Sequence, residues 1–328
     1  MHPVTIAVTG GLGNQLFQFA AARAVAKASG REVRLCYRMF DRPWVRRAFV
    51  AARHWVRELG ADQDARFRLA AMARTPELLA IQAEARETSR AEDRALGFRR
   101  SSLKRAFKDP AWGHAGIRVL RTIDDARDAI ARGVDAAPGR TILVAGYMAG
   151  DALVAPQIEA LRTTLRIAPD TPYLRQWTAW VREAPTVGVH VRRGDYAKPA
   201  YDGIFPILPA EWYRRAAERL HALHPGVRFV VVTDEPAWAK ANLRLPGQMR
   251  IASAEHPASP REDLALLAAC THHVIANSTF SWWGARLATG GGSVVAPSCW
   301  MLTQHDAAPP AGFMPESWLL EENPRTRS

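Results

Sequence analysis

Cysteine, lysine and long apolar runs are scarce in this sequence. The chain has 328 residues but only three cysteines, Cys36, Cys270 and Cys299. Their odd number, apolar surroundings and lack of metal-ligand spacing predict buried free thiols, not a disulfide framework or a zinc site. No apolar segment approaches the roughly 18 residues of a membrane span, and no signal-peptide pattern precedes the first strand-like run. These absences predict a cytoplasmic protein.

The basic residues outnumber the acidic ones, and the excess is arginine. Lys and Arg total 44 against 32 Asp and Glu, a formal net charge of +12, and only five of the basic residues are lysines. Such a balance favours anionic partners, which include nucleic acids, membrane surfaces and phosphorylated substrates. Because no block of consecutive basic residues interleaved with aromatics occurs, and no nucleic-acid-binding motif is readable, we expect no nucleic-acid partner.

Strand-like and helix-like runs alternate along the chain, and this predicts an α/β fold. Residues 4–9 read as a strand, followed by a glycine-rich turn and a helix from Leu16 to about Ser29. The alternation predicts parallel sheets with helices on both faces. A chain of this length is long for one core, and Pro172 and Pro185 mark a junction. We therefore expect two domains, residues 1–170 and residues 171–328.

Four polar clusters follow predicted strands, namely Gly11 to Gln15, His190 to Tyr196, Asp234 with Glu235, and Asn277 to Ser281. In parallel α/β sheets, ligands bind beyond the carboxyl ends of the strands. Four clusters at matching topological positions predict a nucleotide-type site.

The first cluster is a glycine-rich turn, but it is not a dinucleotide fingerprint, because Leu16 stands where that motif needs its third glycine. Glycine at Gly11 would let the backbone approach a ligand closely. Asn14 and Gln15 are predicted to present their amides into a cleft. The alternative is a tight turn with an asparagine cap.

The second and third clusters carry the charged groups. His190 and Arg192 lie two residues apart on a strand, so both point to one side, and the guanidinium fork matches phosphate oxygens. The alternative is an Arg–Asp ion pair that holds the turn, with Arg193 facing the opposite way as a structural partner. Asp234 could accept two N–H bonds from a guanine edge or could cap the following helix.

The fourth cluster combines an amide with three hydroxyls at the start of a helix. Backbone N–H groups there, together with the hydroxyls of Ser278, Thr279 and Ser281, would form a binding site for a phosphate, and an ordinary N-cap is the alternative.

Asp62 and Asp64 match the D-x-D metal motif of many sugar transferases, but they lie in a polar helix-forming stretch. We read them as a solvated face and expect no metal site.

Together the clusters resemble the motifs of the α-1,2-fucosyltransferases. Residues 10–20, GGLGNQLFQFA, are similar to the amino-terminal motif of that family, and residues 190–196, HVRRGDY, to its central motif. Residues 277–285, NSTFSWWGA, and residues 297–300, PSCW, resemble its late motifs. The motifs occur in the family's order and span most of the chain.

The resemblance implies a GT-B fold, with two Rossmann-like domains facing a central cleft. Residues 1–170 would form the acceptor-side domain and residues 171–328 the domain that binds GDP-fucose. The resemblance also implies inverting transfer of fucose from GDP-fucose without a metal or another cofactor. By motif position, Arg192 would bind the β-phosphate, and His190 and Asp234 the nucleoside. Ser278, Thr279 and Ser281 would hold the diphosphate, and Asn14 with the neighbouring backbone would reach the fucose side. Gly11, Gln15 and Asn277 are further expected donor-binding residues. Asp195 is the first candidate for the catalytic base and Asp202 the second, although Asp195 could instead hold an arginine in place.

The expected acceptor is the 2-hydroxyl of a terminal galactose-like residue, on an oligosaccharide or a lipid-linked glycan. Residues 146–149, GYMA, depart from a Tyr-x-Gln element that is frequent in the family, and acceptor choice is expected to lie in residues 42–105. The basic surface suits peripheral contact with an anionic inner membrane leaflet, and the lack of a membrane anchor suits a bacterial type. Alternatives are protein O-fucosylation, another GDP-sugar transfer on the same scaffold, and a non-catalytic binder of GDP-sugars or nucleic acid.

Overall fold

The computed structural model describes residues 2–40, 77–82, 84–109, 112, 116–132, 140–194, 196–197, 203–255, 258–302, 309 and 311–323. The described residues up to 166 form one compact unit, unit 1, and those from 167 onward form the second, unit 2. Each unit has a sheet in which every paired strand runs parallel to its neighbours. The predicted α/β class with parallel sheets is confirmed within each unit. The GT-B arrangement of the two domains, with an acceptor side and a donor side, stays a prediction.

Unit 1 contains a five-stranded sheet in the order β3-β2-β1-β5-β4. The central strand is buried along its whole length, which explains why it is apolar without strict alternation. The strands are β1 Val4–Ala7, β2 Val33–Cys36, β3 Arg86–Glu87, β4 Ile117–Leu120 and β5 Thr141–Val144.

Helix α1, Leu12–Ser29, begins directly after the glycine-rich turn and is largely buried. Its alanines bring it close to the sheet, and Gly30 ends it in the left-handed conformation, with φ of 63° and its N–H bonded to the Ala26 carbonyl. The helix begins four residues before the predicted start at Leu16, because Gly11 is its N-cap. No side chain caps this end, so the predicted alternative of an asparagine cap is wrong.

The remaining helices of unit 1 are short. Two of them begin with reciprocal capping boxes, Ser89 with Glu92 and Thr122 with Asp125, which satisfy backbone donors at the first turn. The described part of residues 42–105 contains the expected helices, but also the unexpected exposed strand β3. These helices are α2 Leu78–Ile81, α3 Arg90–Ala95, α4 Arg100–Lys108, α5 Ile123–Ala131 and α6 Ile158–Thr164.

Unit 2 contains a six-stranded sheet in the order β11-β10-β9-β6-β7-β8. Its strands are β6 Thr186–Val191, β7 Arg228–Thr233, β8 Met249–Ile251, β9 His272–Val274, β10 Val294–Pro297 and β11 Leu319–Glu321. Its helices are α7 Pro172–Arg182, α8 Ala210–Leu223, α9 Pro236–Asn242, α10 Ala252–Glu255, α11 Pro260–Ala269 and α12 Thr279–Leu287.

Two cores cover the faces of the unit 2 sheet. Phe229 and Val231 of β7 pack with Trp212 of α8 on one face, and Val230 and Val232 pack with helix α7 on the other. Successive side chains of a strand point to opposite faces, so one apolar strand supplies both cores. This arrangement holds the carboxyl ends of β6, β7 and β9 at one edge.

The three cysteines are buried free thiols, as predicted. Within the described residues, no helix combines the length and the apolar character needed to cross a bilayer.

Candidate functional site

The central strands β9, β6 and β7 of unit 2 are neighbours, and a predicted polar cluster follows each of them. His190 lies within β6, Arg192 to Gly194 follow it, Asp234 follows β7, and Asn277 to Ser281 follow β9. The prediction that these clusters lie at the carboxyl ends of strands is therefore confirmed for their described residues. These three clusters share one sheet edge, whereas the Gly11 to Gln15 cluster follows β1 in the sheet of unit 1.

Asp234, which follows β7, connects to the turn after β6 through three contacts. Its Oδ1 accepts the Arg193 N–H at 3.0 Å and its Oδ2 accepts the Gly194 N–H at 3.1 Å. Nη1 of Arg192 lies 3.0 Å from the same Oδ2. Both oxygens of Asp234, which were predicted to accept N–H groups of a guanine edge, thus accept N–H groups of the β6 turn instead. Arg192 does form an ion pair with an aspartate, but the partner is Asp234 after β7 and not a residue of the same turn. The N-cap of α9 is Glu235, with no side-chain cap bond, so the predicted helix cap at Asp234 is wrong.

Arg193 pairs with a different carboxylate from the one that Arg192 contacts. Its Nε lies 3.6 Å from Glu235, and its guanidinium lies 3.9 Å from the centroid of the Trp238 ring. Cation–π contact and the ion pair fix this side chain against helix α9. Arg193 therefore has a structural role.

Burial determines the protonation state of His190. The residue is 4% exposed, and its ring centroid lies 5.2 Å from that of Phe280 in α12. Desolvation, with the nearby Arg192 charge as the second cause, lowers the pKa of His190 to about 3. Its Nδ1 is buried and makes no hydrogen bond within the described residues. A neutral imidazole with an unused ring nitrogen is suited to hydrogen-bond a nucleoside.

Tyr196 connects the β6 turn to the β9 turn. Its hydroxyl donates to the Asn277 carbonyl at 2.8 Å, and its ring stacks on Phe205 at 4.5 Å. The Arg192 guanidinium lies 5.8 Å from the centroid of the same ring. Tyr196 thus fixes both turns and lies beside the cation.

The amide of Asn277 holds loops together. Its Nδ2 donates to the carbonyls of Pro206 at 3.1 Å and Trp300 at 3.2 Å, and the residue is 1% exposed. Ser281 is equally buried, and its hydroxyl donates to the carbonyls of Ala276 and Ser278, each at 3.0 Å. Neither side chain presents its polar group outward, contrary to the prediction, because both satisfy buried backbone groups.

Ser278 and Thr279 form the start of helix α12. The Ser278 hydroxyl accepts the Phe280 N–H at 3.3 Å, so the predicted alternative of an N-cap is confirmed. Thr279 is partly exposed at the first helical position. Gly284 lets the helix pack tightly, because a Cβ there would lie 2.8 Å from Cβ of Leu267. A helix N-terminus fixed in this way offers backbone N–H groups and a positive dipole to an anion.

In unit 1, the glycine-rich turn is tightly packed at Gly10 and has free space beside Gly11. Gly10 has φ of +79°, and a Cβ there would lie 2.8 Å from Nδ2 of Asn14, so this position requires glycine. A Cβ on Gly11 would meet nothing within 4 Å, which leaves its backbone accessible. Gln15 is fully buried; it donates to the Gly10 carbonyl at 3.1 Å and accepts the Leu78 N–H at 3.2 Å. The prediction that Gln15 presents its amide into a cleft is therefore wrong.

Three structural residues were missed by the sequence reasoning. Gln18 accepts the Thr9 N–H and donates to the Gly146 carbonyl, and it joins the ends of β1 and β5. Asn323 bonds the backbone N–H and carbonyl of Cys299. Tyr196 ends the second polar cluster, and its bond to the Asn277 carbonyl has no signal in the sequence. A polar residue in an otherwise apolar run is the signal that could have found Gln18.

Some predicted residues lie outside the described part of the chain, namely Asp195, Asp202, Asp62 and Asp64. Among the residues that the structure describes, no three His, Cys, Asp or Glu side chains cluster in a way that could hold a metal ion.

Residues 173–321 match the family described as Glycosyl transferase family 11. Galactoside alpha-(1,2)-fucosyltransferase 1 of Homo sapiens is 33% identical over 147 residues, covering 40% of this chain and 37% of that protein. Galactoside 2-alpha-L-fucosyltransferase Sec1 of Mus musculus is 34% identical over 140 residues, covering 42% and 36%. The chain thus spans less than half the length of these relatives, and the matches confirm the resemblance found in the sequence.

Solved structures with a similar chain course include fucosyltransferase NodZ from Bradyrhizobium, at 17% identity and a TM-score of 0.48, covering 87% of this chain and 92% of that one. Another is E. coli ADP-heptose lps heptosyltransferase II, at 14% identity and a TM-score of 0.42, covering 98% and 93%.

Proposed function

We propose that this protein, whose residues 173–321 match glycosyl transferase family 11, transfers L-fucose from GDP-fucose to the 2-hydroxyl of a terminal galactose-like residue. The transfer inverts the anomeric carbon and needs no metal; GDP-fucose is a co-substrate, and no other cofactor takes part. The galactoside α-(1,2)-fucosyltransferases that the chain resembles support the linkage.

The proposal rests mainly on the Arg192 guanidinium, which directly follows the carboxyl end of β6. Asp234 orients it at 3.0 Å, and its side chain remains 26% exposed. It lies at the edge that also carries the start of helix α12. A fixed cation and a helix N-terminus at one sheet edge form a site for a diphosphate.

The chemistry of the reaction needs such a site. Departure of GDP builds negative charge on the β-phosphate, and donors that are already in place stabilise this charge without reorganising. Arg192 supplies the cation, and the backbone N–H groups at the start of α12 supply further donors. The hydroxyls of Ser278 and Ser281 hold the turn in shape, and Thr279 is the hydroxyl of this turn that lies nearer to solvent.

His190 contacts the nucleoside in this proposal. Because its pKa is about 3, the imidazole is neutral at physiological pH and adds no charge beside Arg192. Its unused Nδ1 would then exchange a hydrogen bond with the nucleoside of GDP. This bond would relieve the cost of a buried polar atom that lacks a partner.

The base that deprotonates the acceptor hydroxyl is proposed to be Asp195, with Asp202 as the second candidate. A carboxylate within hydrogen-bonding reach of the hydroxyl would accept its proton as the oxygen attacks the anomeric carbon.

A cytoplasmic location, with peripheral contact to an anionic membrane that carries a lipid-linked acceptor, is part of the same proposal.

Isothermal titration calorimetry with GDP-fucose, GDP-mannose and UDP-galactose, all in EDTA, tests the donor. We expect binding that is selective for GDP-fucose, followed by transfer to lactose in a product assay. Equal binding of the three nucleotide sugars, or binding only after a divalent metal is added, would contradict the proposal. Transfer to a peptide hydroxyl instead of lactose would favour protein O-fucosylation.

A further inference from the structure

The turn after β5 exposes one aromatic side chain in a segment that is otherwise buried. Residues 141–146 and Met148 are buried, whereas Tyr147 is 48% exposed. The turn lies at the carboxyl end of the unit 1 sheet, where β5 neighbours β1 and its glycine-rich turn. A large exposed ring at this edge of a parallel sheet stands where such sheets bind ligands.

The backbone on both sides of Tyr147 is fixed. A Cβ on Gly146 would lie 1.8 Å from the Arg121 carbonyl oxygen, and the Gly146 carbonyl accepts Nε2 of Gln18 at 3.0 Å. Met148 has φ of +53°, although its side chain is buried at 3% exposure. A non-glycine residue in this conformation persists only where its surroundings determine it, and such residues concentrate at functional sites.

Phe107 supports the exposed ring. The two ring centroids are 5.0 Å apart at 79°, an edge-to-face contact, and Phe107 is itself packed against the unit 1 core. Arg121 anchors both aromatics, because its Nε donates to the Ala106 carbonyl at 2.8 Å while its own carbonyl faces Gly146. The pair is therefore a rigid surface and not a loose side chain.

We propose that Tyr147, backed by Phe107, is a stacking platform for a pyranose ring of the acceptor glycan. One face of a galactose-like ring presents C–H groups, which are attracted to the negative face of an aromatic ring, and the tyrosine hydroxyl can bond a sugar hydroxyl. Residues 141–149 contain no charged side chain, so this turn offers a ligand only the aromatic ring, its hydroxyl and backbone groups. This inference rests on the proposed function, together with the expectation that the amino-terminal domain is the acceptor side.

Steady-state kinetics of the full chain, with lactose and GDP-fucose varied in turn, tests the platform in the variants Tyr147→Leu, Tyr147→Phe and Phe107→Leu. We expect Tyr147→Leu to raise the KM for lactose about tenfold and to leave the KM for GDP-fucose unchanged. Tyr147→Phe should retain most of the affinity, and Phe107→Leu should give an intermediate loss. Leu223→Ala is the matched control, because Leu223 is another exposed large apolar residue, at 54%, but belongs to unit 2.

An unchanged KM for lactose in Tyr147→Leu, or an equal rise in both KM values, would overturn the platform while fucose transfer by the unaltered chain still stood. If no fucose transfer is detected, saturation-transfer NMR with lactose alone tests the Tyr147 platform separately from the proposed reaction. Lactose signals that appear with the unaltered chain and disappear with Tyr147→Leu would support the platform without the reaction. Lactose that fails to bind the unaltered chain would overturn it.

Discussion

The carboxylate of Asp234 lies 3.0 Å from Nη1 of Arg192 and also accepts the N–H groups of the two residues that follow Arg192 in the chain. One side chain therefore orients both the guanidinium and the backbone that carries it. If this edge binds a diphosphate as proposed, an aspartate there weakens the attraction for the anion, so its presence needs a compensating benefit. That benefit is preorganisation, since a cation already held in place loses less conformational freedom on binding.

Replacement of Arg192 by alanine tests whether this cation carries the reaction. We expect kcat/KM for fucose transfer to fall about 10²–10³-fold, because one fixed donor to the developing charge is lost. Calorimetry should show weaker binding of GDP. Arg192→Lys should recover only part of the rate, since a point charge cannot replace a bidentate fork.

Arg214→Ala is the control for Arg192, because Arg214 pairs with Glu211 and Glu218 on the surface of α8 and neither partner is a predicted site residue. This variant should retain full activity. Near-normal turnover of Arg192→Ala would assign Arg192 to the structure of the turn and not to the donor.

The variant Asp234→Asn distinguishes two roles of Asp234, namely orienting the Arg192 guanidinium and neutralising its charge. The amide oxygen can still accept one backbone N–H, but the ion pair with Arg192 and one acceptor site are lost. If orientation dominates, kcat for fucose transfer falls about tenfold or more, whereas removal of a negative charge alone would strengthen GDP binding. Transfer kinetics and GDP calorimetry on the same protein distinguish these outcomes.

The neighbouring Glu235→Gln is the matched control, because Glu235 lies 3.6 Å from Arg193 and is more exposed than Asp234. Its loss should leave transfer nearly unchanged. A faster Asp234→Asn enzyme would show that Asp234 restrains the site and does not organise it.

The position of the unit 2 edge could be predicted from the sequence, because apolar β6 and β7 are bounded by polar turns and alternate with helices. The direction of each polar side chain could not be predicted. Asn277 bonds carbonyls at Pro206 and Trp300, and such partners lie far away in the chain. Periodicity indicates which residues lie at a strand end, but only the packed loops decide whether an amide faces inward.

Short edge strands escaped prediction for a related reason. Strands β3 and β8 have two and three residues, none of them fully buried, so they lack an apolar period. Their pairing is set by the strands beside them. Local sequence carries little information about a strand whose stability comes from its neighbour.

Gln18 is expected to stabilise unit 1 through its buried amide. Gln18→Met keeps the side-chain length but leaves the Thr9 N–H and the Gly146 carbonyl without this partner. We expect the free energy of unfolding to fall by about 1–3 kcal/mol, the cost of unsatisfied buried polar groups. Urea unfolding measures the change, with Lys27→Met on the exposed part of the same helix as the control. Equal stability of the two variants would show that water replaces the amide.

Asp263 makes the stability of unit 2 depend on pH. Burial raises its pKa from 3.8 to about 7, although the Tyr173 hydroxyl donates to its Oδ1 at 3.3 Å and opposes the rise. Between about pH 4 and pH 7 the folded protein keeps this proton while the unfolded chain has released it, so the contribution of Asp263 to stability falls as pH rises through that window. Above pH 7 the folded state carries the full cost of a desolvated carboxylate.

Asp263→Asn removes this titration. Relative to the unaltered chain, the variant should gain stability as pH rises, by roughly 1–4 kcal/mol at pH 8 and much less at pH 4. Urea unfolding across this range measures the difference, with Asp124→Asn, at a side chain that is 90% exposed, as the control. A difference that is constant with pH would mean that Asp263 titrates normally in the folded protein. Greater stability of the unaltered chain at pH 8 would mean that the Tyr173 hydrogen bond to the carboxylate outweighs its burial.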